Sequence, residues 1–159
     1  MYHPLGWEVN WVQMARAVLV TGAGSGIGLA TARLLTAKGY RVYGGVRREE
    51  DAARLAQEGV VPLLLDVTRE EGLLRARERL VGEGIWGLVV NAGIAVAGPL
   101  ELVPLSAFRE ALEVNVLGAF ATVKAFLPLL RASRGRVVLM GSVSGLVAQY
   151  TWGWNFGDG

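Results

Sequence analysis

The sequence predicts a doubly wound α/β domain with a parallel sheet, and three observations carry that prediction. Short apolar runs recur along the 159-residue chain and alternate with segments of helical period. The runs are continuously apolar, as strands buried on both faces are, rather than alternating with polar residues. The first of them, Val18-Leu19-Val20, passes straight into a glycine-rich turn and then a helical pattern, the strand–turn–helix order of an α/β unit.

Taken in order, strand one covers about residues 16 to 21, and helix one about 25 to 38. That helix stops before Gly39, a residue suited to the left-handed conformation that closes helices. Strand two, Arg41 to Gly45, precedes a short charged helix near 49 to 57, and strand three is Val60 to Leu65. Thr68 followed by Glu71 has the spacing of a capping box and is expected to open a helix to about Val81. Its Leu73, Ala76 and Leu80, with Leu74 and Val81, mark one apolar face. Strand four is Gly87 to Val90, and a loop follows from Asn91 to about Pro104. A long helix then runs to about Arg131, with Pro128 kinking or ending it. On it Asn115 shares an inward face with Phe108, Leu112 and Ala119, where a buried amide must find partners. Strand five is Arg136 to Met140.

The turn after strand one is the chemically informative stretch. Gly22, Ala23, Gly24, Ser25 and Gly26 lead into a helix whose first N–H groups have no intrahelical partner and sit at its positive end. Glycines let a pyrophosphate approach the backbone without meeting a Cβ, so such a turn can bind a dinucleotide through main-chain donors alone.

Composition excludes several other classes. A content of 52% hydrophobic and 19% charged residues argues against disorder. The net charge of +2 is dispersed, and no basic run exceeds Arg47-Arg48, so nucleic acid is not an expected partner. Without cysteine there are no disulfides or thiolate metal sites, which suits a reducing, cytoplasmic location. The single histidine, His3, leaves His-based catalysis and metal binding without support. No secretory signal is evident at the start, and the apolar stretches read as too short or too interrupted to span a bilayer, so no membrane is expected.

Gly22, Gly26 and Gly28 stand at i, i+4 and i+6, which does not fit Gly-x-Gly-x-x-Gly in any register. Thr-Gly-x-x-x-Gly-Ile-Gly is instead similar to the cofactor loop of the short-chain dehydrogenase/reductase family. Asn91-Ala92-Gly93 resembles that family's Asn-Ala-Gly beside the cofactor, and Asp66-Val67 resembles its adenine-contacting pair. Asn115 and Ser142 resemble its helix asparagine and active-site serine, and their separation, 142 minus 115, is 27 as the family pattern has it. Ser144 competes for the serine's role, but the family's serine stands three residues before the glycine that is Gly145 here, which selects Ser142. Read singly, Asp66 is an ordinary strand-end cap and Asn115 a structural amide. The resemblance covers about residues 15 to 148. It implies a Rossmann-like sheet of order 3-2-1-4-5 that holds a nicotinamide dinucleotide. It assigns Gly22, Ser25, Gly26, Ile27, Gly28, Arg47, Asp66, Val67, Asn91, Ala92 and Gly93 to the cofactor, and Ser142 and Asn115 to a partial catalytic set. Gly98-Pro99-Leu100-Glu101 and the helix after it look like members acting on lipophilic alcohols or ketones.

In members that use NAD, an acidic residue ends strand two and binds the ribose hydroxyls, roughly 20 residues beyond the turn. The corresponding residue here is Val46, followed by Arg47 and Arg48. One or two guanidiniums and no carboxylate favour the 2′-phosphate of NADP over NAD. The alternative is two solvated arginines opening a charged helix.

The family's chemistry rests on a tyrosine thirteen residues after the serine and a lysine four further on. Here position 155 is Asn, 159 is Gly, and the last lysine is Lys124. The expected result is a dinucleotide-binding half without productive chemistry. Residues 1 to 13 read as an atypical extension, 14 to 148 as an incomplete binding domain, and 149 to 159 as an atypical aromatic and glycine tail. A truncation or frame disruption near Ala148 accounts for that ending, and it predicts an unpaired strand five open to oligomerisation or aggregation. The alternatives are a non-catalytic binding module or subunit, and a non-functional truncated product that self-associates.

Overall fold

The computed structural model describes residues 16–96 and 98–143. The expected extension at 1 to 13, the competing Ser144 and the tail at 149 to 159 lie outside the described residues. The chain alternates β1 (Ala17–Thr21), α1 (Gly26–Ala37), β2 (Arg41–Val46), α2 (Glu49–Gln57), β3 (Val61–Leu64), α3 (Glu70–Leu80) and β4 (Gly87–Val90). A 3-10 turn at Leu100–Leu102 interrupts the loop after β4. Then come α4 (Leu105–Leu112), a π-helical turn (Glu113–Gly118), α5 (Ala119–Ala132) and β5 (Arg136–Leu139). All four pairings are parallel, and the order is β3-β2-β1-β4-β5, as expected.

The apolar runs are buried on both sides because alternate residues face different helical layers. Leu19, Tyr43, Leu63, Leu73, Leu80, Leu88, Phe126 and Leu130 share one cluster, which joins the sheet to α3 and α5. Val18, Val20, Ala32, Val42, Val46, Leu55 and Val60 share the other, with α1 and α2. Each fully buried large side chain contributes about 2 kcal/mol. At the end of α1, Gly39 adopts φ of +82°, and the Tyr40 and Lys38 N–H groups return to the carbonyls of Leu35 and Leu34, as the predicted stop requires.

Several expectations change. The capping box at Thr68 does not form: α3 starts at Glu70 after Arg69, one residue too late for Thr68 to cap it. Thr68 instead gives both its N–H (2.9 Å) and its hydroxyl (2.7 Å) to Asp66 Oδ1, a charged acceptor nearer to hand. Val81, just past α3, is 61% exposed, because the face it was assigned to ends with the helix at Leu80. Pro128 does not end α5, which continues to Ala132 with Ala125, Phe126 and Leu130 packed inward around it. The irregularity lies at Glu113–Gly118 instead. With it the inward face becomes Ala111, Val114, Gly118 and Thr122, so Asn115 and Leu112 are exposed rather than inward.

The helical run Leu105–Ala132 is long and apolar enough to cross a membrane by length and composition, contrary to the reading of the sequence. The apolarity has a second use in this fold, since Phe126 and Leu130 on it are core residues of the sheet.

The two edge strands differ. β3 carries Pro62, which offers no N–H to an incoming strand. β5 pairs only with β4 among the described residues, and its Val137, Val138 and Leu139 are all exposed.

Candidate functional site

The C-terminal ends of β1, β2, β3 and β4 meet at a cleft of about 470 Å³. It lies where the order leaves β1 for β2 on one side and β4 on the other, the switch point at which open α/β sheets bind ligands. Gly22, Gly24, Ser25, Gly26 and Ile27 form one wall, Gly45, Val46, Arg47, Arg48 and Asp51 a second, and Leu65, Asp66, Val67, Asn91 to Ile94 and Val114 the rest.

Thr21 ties the turn to the opposite wall. Its fully buried hydroxyl oxygen accepts the N–H groups of Asn91 and Ala92, both at 3.0 Å. Asn91 Nδ2 in turn donates to the carbonyls of Thr21 (3.1 Å) and Gly22 (3.3 Å). The turn therefore sits hard against β4, and that closeness dictates two glycines. Gly22 has φ of +64°, and a Cβ on it would lie 2.8 Å from Ala92 Cα. A Cβ on Gly28 would overlap the Gly22 carbonyl oxygen and Asn91 Nδ2, so Gly28 packs the helix onto the turn and does not itself line the cleft.

Gly26 is different: φ is +52°, and nothing lies within 4 Å of where its Cβ would be. The Ser25 side chain makes no capping hydrogen bond, so it takes none of the donors at the start of α1. An open space over uncapped N–H groups at a helix N-terminus is a cradle for an anion, and it fits a pyrophosphate.

Across the cleft, burial pushes the Asp66 carboxyl up. The hydroxyl and amide of Thr68 outweigh that, helped by Arg47 and Arg69, and hold it below the usual carboxylate range. Only Oδ1 is engaged by Thr68, so Oδ2 remains to accept from an amine. Arg47 makes no hydrogen bond or salt bridge among the described residues. Arg48 is taken up by Asp51, with Nε 2.9 Å from Oδ2. Of the two guanidiniums considered from sequence, one is thus already paired.

Asn115 and Ser142 do not line this cleft. Asn115, in the π-helical turn, clamps the Ile94 peptide: its Oδ1 accepts the N–H (2.9 Å) and its Nδ2 donates to the carbonyl (2.8 Å). It thereby fixes the segment that carries Gly93 and Ile94 along the cleft. Ser142 is exposed just after β5, at the same C-terminal edge of the sheet. The sequence reading passed over the Thr21 hydroxyl, Asp51 and the π-helical turn. Asp51 had a visible signal, since residues 48, 51 and 54 place Arg, Asp and Arg on one helical face. The turn had none.

Fold and cleft together define a doubly wound α/β domain with an anion cradle at its switch point. A profile of the short chain dehydrogenase family matches residues 16–154, and the chain belongs to that family. It is 37% identical over 146 residues to mitochondrial D-beta-hydroxybutyrate dehydrogenase of Rattus norvegicus, covering 84% of this chain and 43% of the relative. Estradiol 17-beta-dehydrogenase 2 of Mus musculus is 38% identical, over 83% of this chain and 37% of its own length. Retinol dehydrogenase 16 of Mus musculus is 37% identical, over 86% and 46%. The chain thus spans less than half the length of these relatives. Among solved structures, serine dehydrogenase of Escherichia coli superposes with a TM-score of 0.80 at 28% identity, over 86% of this chain and 66% of that one. A short chain dehydrogenase of Shigella flexneri complexed with NADP gives 0.79 at 28% identity, over 87% and 63%.

Proposed function

We propose that this chain binds NADP(H) and, as it stands, does not turn substrate over. The observation that carries the cofactor reading is Arg47, which makes no hydrogen bond or salt bridge among the described residues, at the cleft beside Val46, where an NAD-selective site needs a carboxylate. In this reading the N–H groups at the start of α1 hold the pyrophosphate, Arg47 the 2′-phosphate, and Asp66 Oδ2 with Val67 the adenine. Asn91 to Gly93 border the nicotinamide end. When bound, the nicotinamide supplies or takes up hydride, and Ser142 and Asn115 belong to the substrate side of that exchange.

Arg47→Met tests the assignment. NADPH binding is expected to weaken about tenfold, as the loss of one charge-assisted contact entails, with NADH unchanged. Fluorescence titration of both cofactors reads it, and equal weakening of both would contradict it.

The absence of turnover rests on positions 155 and 159, which are Asn and Gly where the family pattern has its proton-transferring tyrosine and its lysine. The ancestral substrates are alcohols or carbonyls, and the likeness to hydroxybutyrate, estradiol and retinol dehydrogenases supports that class. The exposed β5 edge supports a second reading, in which this chain self-associates through Val137, Val138 and Leu139. Sedimentation across a concentration series separates the two: a monomer that binds NADPH is a binding module, and an oligomer that binds neither cofactor is not.

A further inference from the structure

The wall of the cleft that faces the 2′-phosphate in the proposed NADP site contains a carboxylate as well as guanidiniums. Asp51 lies on the first turn of α2 and is 7% exposed, yet it lines the cleft with Arg47 and Arg48. Its two oxygens are divided between two arginines of its own helical face: Oδ2 meets Arg48 Nε at 2.9 Å and Oδ1 meets Arg54 Nη2 at 2.7 Å. Arg54 Nη2 also donates to the Gly24 carbonyl, so the same carboxylate is coupled to the backbone of the glycine turn. It stands close beneath that turn, since a Cβ on Gly24 would lie 3.0 Å from Asp51 Oδ2.

We infer that Asp51 is a specificity-determining residue of the cofactor site: by holding Arg48 it leaves Arg47 as the one unpaired guanidinium among the described residues that line the cleft, and it keeps a negative charge beside it. The carboxylate sets how strongly the cleft discriminates between phosphorylated and unphosphorylated adenosine ribose. Arg48 guanidinium and Asp51 carboxylate neutralise each other, so the pair contributes little net attraction to a phosphate. Removing the carboxylate does two things of the same sign. It takes a like charge away from the phosphate, and it releases a second planar donor that already borders the cleft. Arg54 keeps the Gly24 carbonyl as its acceptor, so the turn retains one of its supports.

This inference rests on the NADP reading, and the experiment separates the two. NADPH and NADH dissociation constants are measured for the parent chain and for Asp51→Asn, Asp51→Ser, Asp51→Glu and the double variant Asp51→Asn with Arg48→Met. The two charge-removing variants are expected to bind NADPH about fivefold tighter, with NADH changed much less, in line with the size of exposed ion-pair effects. Asp51→Glu restores the charge and is expected to keep the parent ratio, and adding Arg48→Met to Asp51→Asn is expected to cancel most of the gain. Asn and Ser differ in size and hydrogen bonding, so whichever of them folds, judged by circular dichroism and melting temperature, answers the question. An unchanged NADPH-to-NADH ratio in a folded variant, or equal weakening of both cofactors, overturns the inference and leaves Asp51 as a prop for the turn. If the parent chain itself does not prefer NADPH, and Arg47→Met has no selective effect, it is the NADP reading that has failed.

Discussion

Gly28→Ala is expected to remove dinucleotide binding and to destabilise the domain by about 3 kcal/mol. The added methyl would overlap the Gly22 carbonyl oxygen and Asn91 Nδ2, which are backbone and a doubly bonded amide rather than the loose end of a flexible side chain. Relief therefore requires the start of α1 to move away from the turn. That breaks the Asn91 bonds to Thr21 and Gly22 and tilts the uncapped N–H groups away from the open space over Gly26. Affinity for NADPH should fall at least as far as the Arg47→Met variant, but with NADH falling equally, because the pyrophosphate is common to both. Urea unfolding and a paired titration measure the two effects. A variant as stable and as tight as the parent would mean that α1 does not pack on the turn as described.

Thr21→Val has the second largest expected effect, although it changes shape hardly at all. The Thr21 side chain is fully buried, and its oxygen is the acceptor for two main-chain N–H groups, of Asn91 and Ala92. An isosteric valine leaves both donors without that acceptor, at a cost of about 2 kcal/mol. The loss falls on the junction between β1 and the loop after β4, so hydrogen exchange at Asn91 and Ala92 should speed up more than exchange in α2. Uniform acceleration would point to general unfolding instead. A serine at the same position keeps the oxygen and should recover most of the stability.

These two residues also show what the sequence made legible. The strands, their order and the glycine turn were readable because local signals and the global fold agree. Val18 to Val20 is apolar throughout, Gly39 takes the helix-closing conformation, and the glycines at 22, 26 and 28 stand in one recognisable spacing. The residues that the resemblance assigns to a cofactor come together in space, and all but Gly28 border the same cleft. What escaped were choices made by competition in three dimensions. Thr68 has the right partner spacing for a capping box, but Asp66 is a charged acceptor and the helix begins one residue too late. Asn115 falls on the inward face of an ideal helix, and the π-helical turn moves that face to Val114 and Gly118. Arg48 reads as a free cation until α2 forms and brings Asp51 one turn away from it. In each case a second acceptor or a change of helical period decided the outcome, and neither follows from a one-dimensional pattern.

In the proposed function the turn after β1 and Arg47 together form a working NADP(H) site. Calorimetric titration of this chain with NADPH and with NADH tests it most directly. Saturable binding of one NADPH per chain is expected, tighter than NADH by about tenfold, the share assigned to Arg47. Absence of saturable binding for either cofactor, or a preference for NADH, would contradict it.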